Sequence, residues 1–229
     1  MQIKGLQKTT LLDFPDRVAC TVFTGGCNFR CPFCHNAALV LTPAIVEDIS
    51  EEAFFFFLGK RKGILDGVCI TGGEPLLQKD IIPFIEKIRH EGFAVKLDTN
   101  GSFPDKLKDI VSKNLIDYIA MDIKNSEEKY AFTAGITGDC KEAFESIDFI
   151  MSCGVDYEFR TTVVKELHSV QDIESIAKRI KGAKRYFLQN FKDSGDLIDP
   201  KFSAHTEEEM RKMLSAATPY VELCKLRGI

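Results

Sequence analysis

Three cysteines set the chemistry open to this chain: Cys27, Cys31 and Cys34 stand within the run Cys27-Asn28-Phe29-Arg30-Cys31-Pro32-Phe33-Cys34. Thiols so close together on one loop read as metal ligands first, because free cysteines are normally scattered and buried. Three ligands, not four, would leave one iron of a 4Fe-4S cubane open to a substrate. Zinc is the rival metal, but structural zinc closes with four ligands, usually as two separated pairs, and the chain has no second CxxC. His35 follows Cys34 directly, which makes it an awkward fourth ligand. The remaining cysteines, Cys20, Cys69, Cys140, Cys153 and Cys224, lie far apart in strand or helix patterns and read as small apolar fillers, so no auxiliary cluster is expected.

Polar groups gather at the ends of the apolar runs that follow. Thr71-Gly72-Gly73-Glu74-Pro75 joins two glycines, which let backbone approach a ligand, to a carboxylate able to accept from an ammonium group, although alone it would pass for a surface turn. Asp98-Thr99-Asn100-Gly101 and Ala120-Met121-Asp122-Ile123-Lys124 bring two more carboxylates to the same rim; Asp-Thr-Asn-Gly is also an ordinary turn and cap sequence. Arg160 sits between Phe159 and Thr161 in an apolar run, where an inward guanidinium must find a carboxylate or ribose and an outward one would be solvated. Gln189 and Phe191 close the last long apolar run.

The elements that must position these residues follow from periodicity. Strand-like runs fall at residues 18–24, 68–71, 94–98, 116–121, 156–164 and 185–190. Helical faces alternate with them: Ile81, Ile85 and Ile88; Leu107, Ile110 and Val111; Phe144, Ile147 and Ile150; Ile173, Ile176 and Ile180. Gly92, Asn114, Gly154 and Gly182 stop these four helices. An earlier helix starts after Ser50 and stops at Gly59; a last one near 206–217 opens with Thr206 and Glu209 in capping-box spacing, and a short strand-like segment, Tyr220 to Leu226, closes the chain. Six strand–helix units imply an α/β fold with a parallel sheet, open or curled, and are too few for a full eightfold barrel. Leu6 to Phe14 reads as an extended lead-in or hairpin, and 1–229 as a single domain without internal repeats.

C-x3-C-x2-C directly after the first strand of such a series, with the aromatic Phe33 before the last Cys, resembles the signature loop of the radical S-adenosylmethionine (SAM) enzymes. That resemblance implies a partial (β/α)6 barrel, a 4Fe-4S cluster on Cys27, Cys31 and Cys34, and SAM chelating the open iron. Reductive cleavage would then yield methionine and a 5'-deoxyadenosyl radical that abstracts hydrogen. By the same resemblance Gly72, Gly73 and Glu74 hold the SAM amino group, Lys124 contacts its carboxylate, Phe33, Asn100, Arg160 and Gln189 contact the cofactor, and Asp98, Thr99 and Asp122, with the Ala120 carbonyl, hold a monovalent cation.

The lead-in Gly5-Leu6-Gln7-Lys8-Thr9-Thr10-Leu11-Leu12-Asp13-Phe14-Pro15, with Cys34-His35-Asn36, resembles activating proteins of the anaerobic ribonucleoside-triphosphate reductase type. Asp16 departs from the Gly more usual after that proline, which bears on the local turn only. The implied substrate is a glycine α-carbon in a glycyl-radical partner enzyme. The short segment from Cys34 to Gly72 has no room for a ferredoxin-like insert, so a flavodoxin or ferredoxin would supply the electron. The alternative within the family is an enzyme acting on a small molecule, such as a 7-carboxy-7-deazaguanine synthase.

Composition narrows the partners. Net charge is −4 in 229 residues, with no basic block beyond Lys60-Arg61-Lys62, so neither nucleic acid nor a membrane is an expected partner. The N-terminus lacks a signal-peptide pattern and no apolar run nears the ~20 residues of a membrane helix, so a cytoplasmic protein is expected. Four consecutive phenylalanines, Phe54 to Phe57, cannot all face one core on a helix turning ~100° per residue, so at least one is expected to be exposed or covered by another segment. His90, His168 and His205 read as surface or loop residues.

Overall fold

The computed structural model describes every residue except Ser194 and Asp196. One eight-stranded sheet carries the fold, with its strands in sequence order. β1 (Ile3–Thr10) runs antiparallel to β2 (Ala19–Thr24). From β2 onward every neighbour is parallel: β3 (Gly67–Gly72), β4 (Ala94–Thr99), β5 (Tyr118–Asp122), β6 (Asp156–Val163), β7 (Tyr186–Asn190) and β8 (Cys224–Arg227). Parallel neighbours need a crossover each, and helices supply them: α1 (Ala37–Leu41) and α2 (Glu51–Gly59), α3 (Ile81–His90), α4 (Pro104–Ser112), α5 (Glu127–Ala134) and α6 (Lys141–Ser152), α7 (Val170–Arg179) and α8 (Glu207–Ala217). The result is a partial (β/α)6 barrel whose edges are β1 and β8.

The helices form where their apolar spacing demands. Ile81, Ile85 and Ile88 of α3, Leu107 and Ile110 of α4, Ile147 and Ile150 of α6, and Ile173 and Ile176 of α7 are all buried against the sheet. Each such side chain contributes roughly 1.5–3 kcal/mol. Ser50 caps α2 by accepting from Ala53 N, and Thr206 with Glu209 completes the expected capping box of α8. Asn114 ends α4 in the left-handed region, with φ of 55°. No helix among the described residues is long and apolar enough to cross a membrane.

Two expected elements take definite form and one helix, α5, is unexpected. The lead-in is a true strand: β1 covers the free side of β2, so the sheet begins with an antiparallel edge. The closing segment is a seventh parallel strand, β8, paired with β7. Helix α5 had no visible stripe, because it buries Tyr130, Thr133 and Ala134 while leaving Phe132 exposed. The phenylalanine run divides as helical geometry requires: Phe54 is fully buried against Phe55 and Phe84, whereas Phe56 is 65% exposed under Lys60. Phe54→Ala should therefore cost about 3–5 kcal/mol and Phe56→Ala within about 0.5, a contrast that urea denaturation of the two variants reads directly.

Candidate active site

The Cys loop is held from two sides by backbone hydrogen bonds. On one side the end of β3 lies against the turn that launches the loop: Gly73 N donates to Thr24 O (3.0 Å) and Glu74 N to Gly26 O (2.8 Å). Only glycine permits this. A Cβ on Gly73 would sit 1.9 Å from Gly26 O, and one on Gly72, whose φ is 117°, would sit 2.3 Å from Thr24 N. The glycine pair, read from sequence as room for a ligand, thus also makes room for the loop. On the other side Arg30 N donates to Ala134 O (2.9 Å), so the end of α5 anchors the middle of the loop.

One cavity of about 240 Å³ gathers the expected residues at the C-terminal ends of the parallel strands. Cys27, Cys31, Cys34, Phe33, Gly72, Gly73, Asp98, Thr99, Asn100, Asp122, Lys124, Arg160 and Gln189 all line it. Glu74 does not. Its carboxylate is fully buried beneath the rim, accepting from Leu76 N (3.0 Å), Thr99 Oγ1 (2.9 Å) and Asn100 N (2.7 Å). Burial pushes its pKa up to about 7 against these donors. Glu74, expected to hold an ammonium group, thus lies off the cavity lining, with its oxygens tying β3 to β4 through Thr99 and Asn100.

Charge floors the cavity. Arg160 turns inward, its Nε on Asp122 (3.0 Å) and a terminal nitrogen on Asp98 (3.1 Å). Asp98 also holds buried Lys96, and Lys124 Nζ lies 3.5 Å from Asp122. Burial opposes ionisation of Asp122, but Arg160 and then Lys124 outweigh it and hold the carboxyl down at about 2. The same reversal holds Asp98 below the usual carboxylate range through Arg160 and Lys96. The expected monovalent-cation site does not fit these residues. Asp98 and Asp122 already serve the guanidinium and two ammonium groups, and the Thr99 hydroxyl donates to Glu74. Cys69, read as a filler, also belongs to this floor, with its sulfur 3.7 Å from both Lys96 Nζ and Asp98 Oδ1.

Six further residues line the cavity without having been singled out as contacts: Phe29, His35, Asn36, Val40, Thr71 and Thr162. His35 stacks on Phe191 with centroids 5.6 Å apart, and Asn36 Nδ2 donates to Gly72 O (3.4 Å). His168 is not a surface residue: it is 2% exposed, edge-on to Phe33, with Val164 N donating to Nδ1 (3.1 Å). That donor fixes the proton of the neutral ring on Nε2, which donates to the carbonyl of Lys124 (2.8 Å). His205 is likewise engaged, lying between the His168 carbonyl (3.1 Å) and Glu209 (3.2 Å). No motif marks His168, since its ring is held by backbone groups of Val164 and Lys124.

The donor set suits an iron–sulfur cluster. Cys27 Sγ accepts from Phe29 N (3.3 Å) and faces Asn100 Nδ2 (3.8 Å), contacts that favour a thiolate. Burial pushes the Cys31 thiol up to about 12, with Lys124 pulling the other way, so its ligand form depends on cationic company. Three thiols thus lie over a floor of paired charges at the strand ends of a partial (β/α)6 barrel. A sequence profile described as the radical SAM superfamily matches residues 21–180, and the chain belongs to that superfamily.

More particularly, the chain is 33% identical, over 99% of its length and 96% of the relative's, to a Methanocaldococcus jannaschii protein provisionally named a glycyl-radical enzyme activating enzyme. It is 27% identical to the pyruvate formate-lyase-activating enzyme of Clostridium pasteurianum, over 80% of this chain and 77% of that one. Among solved structures, Streptococcus suis SuiB bound to its precursor peptide SuiA superposes with a TM-score of 0.69 at 16% identity, covering 91% of this chain and 48% of that one.

Two outcomes test the site. Gly73→Ala should displace the 25–27 turn and leave anaerobically reconstituted protein with little of its iron and sulfide. Full iron content in that variant would show that the close approach is dispensable. His168 is held below its ordinary pKa, chiefly by burial, so its contribution to stability is complete above about pH 6.5. It falls as pH drops through the depressed value, at up to about 1.4 kcal/mol per pH unit. His168→Gln, which keeps a donor toward Lys124 O and does not titrate, should show a shallower fall in urea midpoint between about pH 7.5 and 5. Equal slopes would mean that His168 is not the group responsible.

Proposed function

We propose that this protein activates a glycyl-radical enzyme, with an anaerobic ribonucleoside-triphosphate reductase as the partner. The observation that carries the reading is the end-to-end relation to the M. jannaschii protein, reinforced by the lead-in Gly5 to Pro15 and by Cys34-His35-Asn36. A flavodoxin or ferredoxin supplies the electron, and the setting is an anaerobic cytoplasm.

The residues divide the work. Cys27, Cys31 and Cys34 hold the cluster. Lys124, fixed through its own carbonyl by His168, presents an ammonium group toward the SAM carboxylate, and the Gly72-Gly73 backbone walls the amino group. Thr162, Gln189 and His35 offer polar edges to the adenosine, while Phe29, Phe33 and Val40 make the apolar wall that limits water. A cluster and SAM held there would supply the radical chemistry, and the chain's own residues hold them, orient them toward the substrate glycine and exclude water.

Incubation of the reconstituted protein with SAM, dithionite and the candidate reductase should produce the doublet of a glycyl radical in the electron paramagnetic resonance spectrum. Normal SAM cleavage without that doublet would sink the assignment. SAM cleavage coupled to formation of 7-carboxy-7-deazaguanine from a small molecule, with no protein partner, would instead favour the small-molecule alternative.

A further inference from the structure

We propose that Asn28, Asn100 and Ser102 form a positioning clamp that aims an amide donor at Cys27 Sγ and so raises the reduction potential of the cluster that Cys27 helps to hold. The three side chains close a ring. Asn100 Nδ2 donates to Asn28 Oδ1 (3.0 Å), Asn28 Nδ2 to Ser102 Oγ (2.9 Å), and Ser102 Oγ to Asn100 Oδ1 (2.6 Å). One group fixes every direction. The backbone N–H of Ser102 can only donate, and it donates to Asn100 Oδ1 (2.9 Å), so the amide nitrogen of Asn100 must face the loop. There it lies 3.8 Å from Cys27 Sγ.

The clamp spans two elements that the fold brings together independently. Asn28 follows Cys27 in the loop, whereas Asn100 and Ser102 follow β4, whose end is tied to β3 by Asn100 N on Glu74. Asn100 thus lines the inner cavity with its amide already committed to the loop and to Ser102. Both its amide groups are engaged, and only its outer partners Asn28 and Ser102 reach the separate outer cavity of about 520 Å³. An N–H dipole pointed at a cluster thiolate stabilises the more negative, reduced state. Hydrogen bonds to the sulfurs are among the determinants of iron–sulfur potentials.

The test is a redox titration of the anaerobically reconstituted full chain without SAM or partner, followed by the electron paramagnetic resonance signal of the reduced cluster. Asn100→Ala should move the midpoint to a more negative potential. Ser102→Ala should shift it less, because the Ser102 N–H still restrains the amide, and Ser102→Thr, which restores the hydroxyl, should return it to the wild-type value. Unchanged midpoints in Asn100→Ala and Ser102→Ala, at wild-type iron and sulfide content, would overturn the proposal. Should Asn100→Ala fail to hold a cluster, the comparison of Ser102→Ala with Ser102→Thr decides alone, since Ser102 touches neither Glu74 nor a thiol. The readout needs no glycyl-radical partner, so failure of the proposed function leaves it intact.

Discussion

The rim of this barrel is organised around one buried carboxylate. Glu74 stands at the end of β3 with no exposure to solvent, and its oxygens collect donors from its own following turn, from Thr99 and from Asn100. Burying an ionisable group without donors would be prohibitive; hydrogen bonds to a charged acceptor contribute about 1.5–3 kcal/mol each. Their competition with desolvation leaves the pKa raised only to about 7. Mechanically, Glu74 joins two strand ends that share few backbone ladder bonds there. Its own N–H on Gly26 and Asn100's contacts with the Cys loop then carry that registration to the thiols.

Below the rim the interior breaks the usual pattern of a barrel, in which layers of branched apolar side chains fill the centre. Lys96 and Asp98 on β4, Asp122 on β5, Glu158 and Arg160 on β6 and Arg227 on β8 instead form a connected set of ion pairs. Such sets are weak evidence for stability, because apolar replacements are often neutral or better, whereas removing one partner costs about 3–5 kcal/mol. Their use lies at the upper end. Lys96, Arg160 and Lys124 face Asp98 and Asp122, one cation more than anions, beneath a cavity whose thiolate ligands carry negative charge.

Local rules made much of this legible. Isoleucine periodicity located the faces of α3, α4, α6 and α7, and the three-cysteine spacing located the chemistry. The strand-end motifs reached one cavity because parallel strands in sequence order must deliver their C-terminal ends to the same rim. What stayed hidden depends on neighbours distant in sequence. Gly73 is required by Gly26, His168 by the carbonyl of Lys124, and Cys69 by Lys96 and Asp98. None of those pairings has a periodicity.

The disagreement over Asp98 and Asp122 shows why a motif alone does not fix a role. Two carboxylates delivered by adjacent strands make a credible seat for a cation as long as only those strands are considered. Strand pairing adds a third member: in the β5–β6 register Asp122 stands opposite Arg160, one strand beyond the motif. From that position the guanidinium reaches both acids through separate nitrogens, satisfying with fixed geometry the charge that a mobile ion would otherwise have to neutralise. An ion entering there would compete with Arg160 for the oxygens of both acids. The seat is therefore filled by the chain itself, and the cation that steadies the floor of the cavity is covalently part of β6.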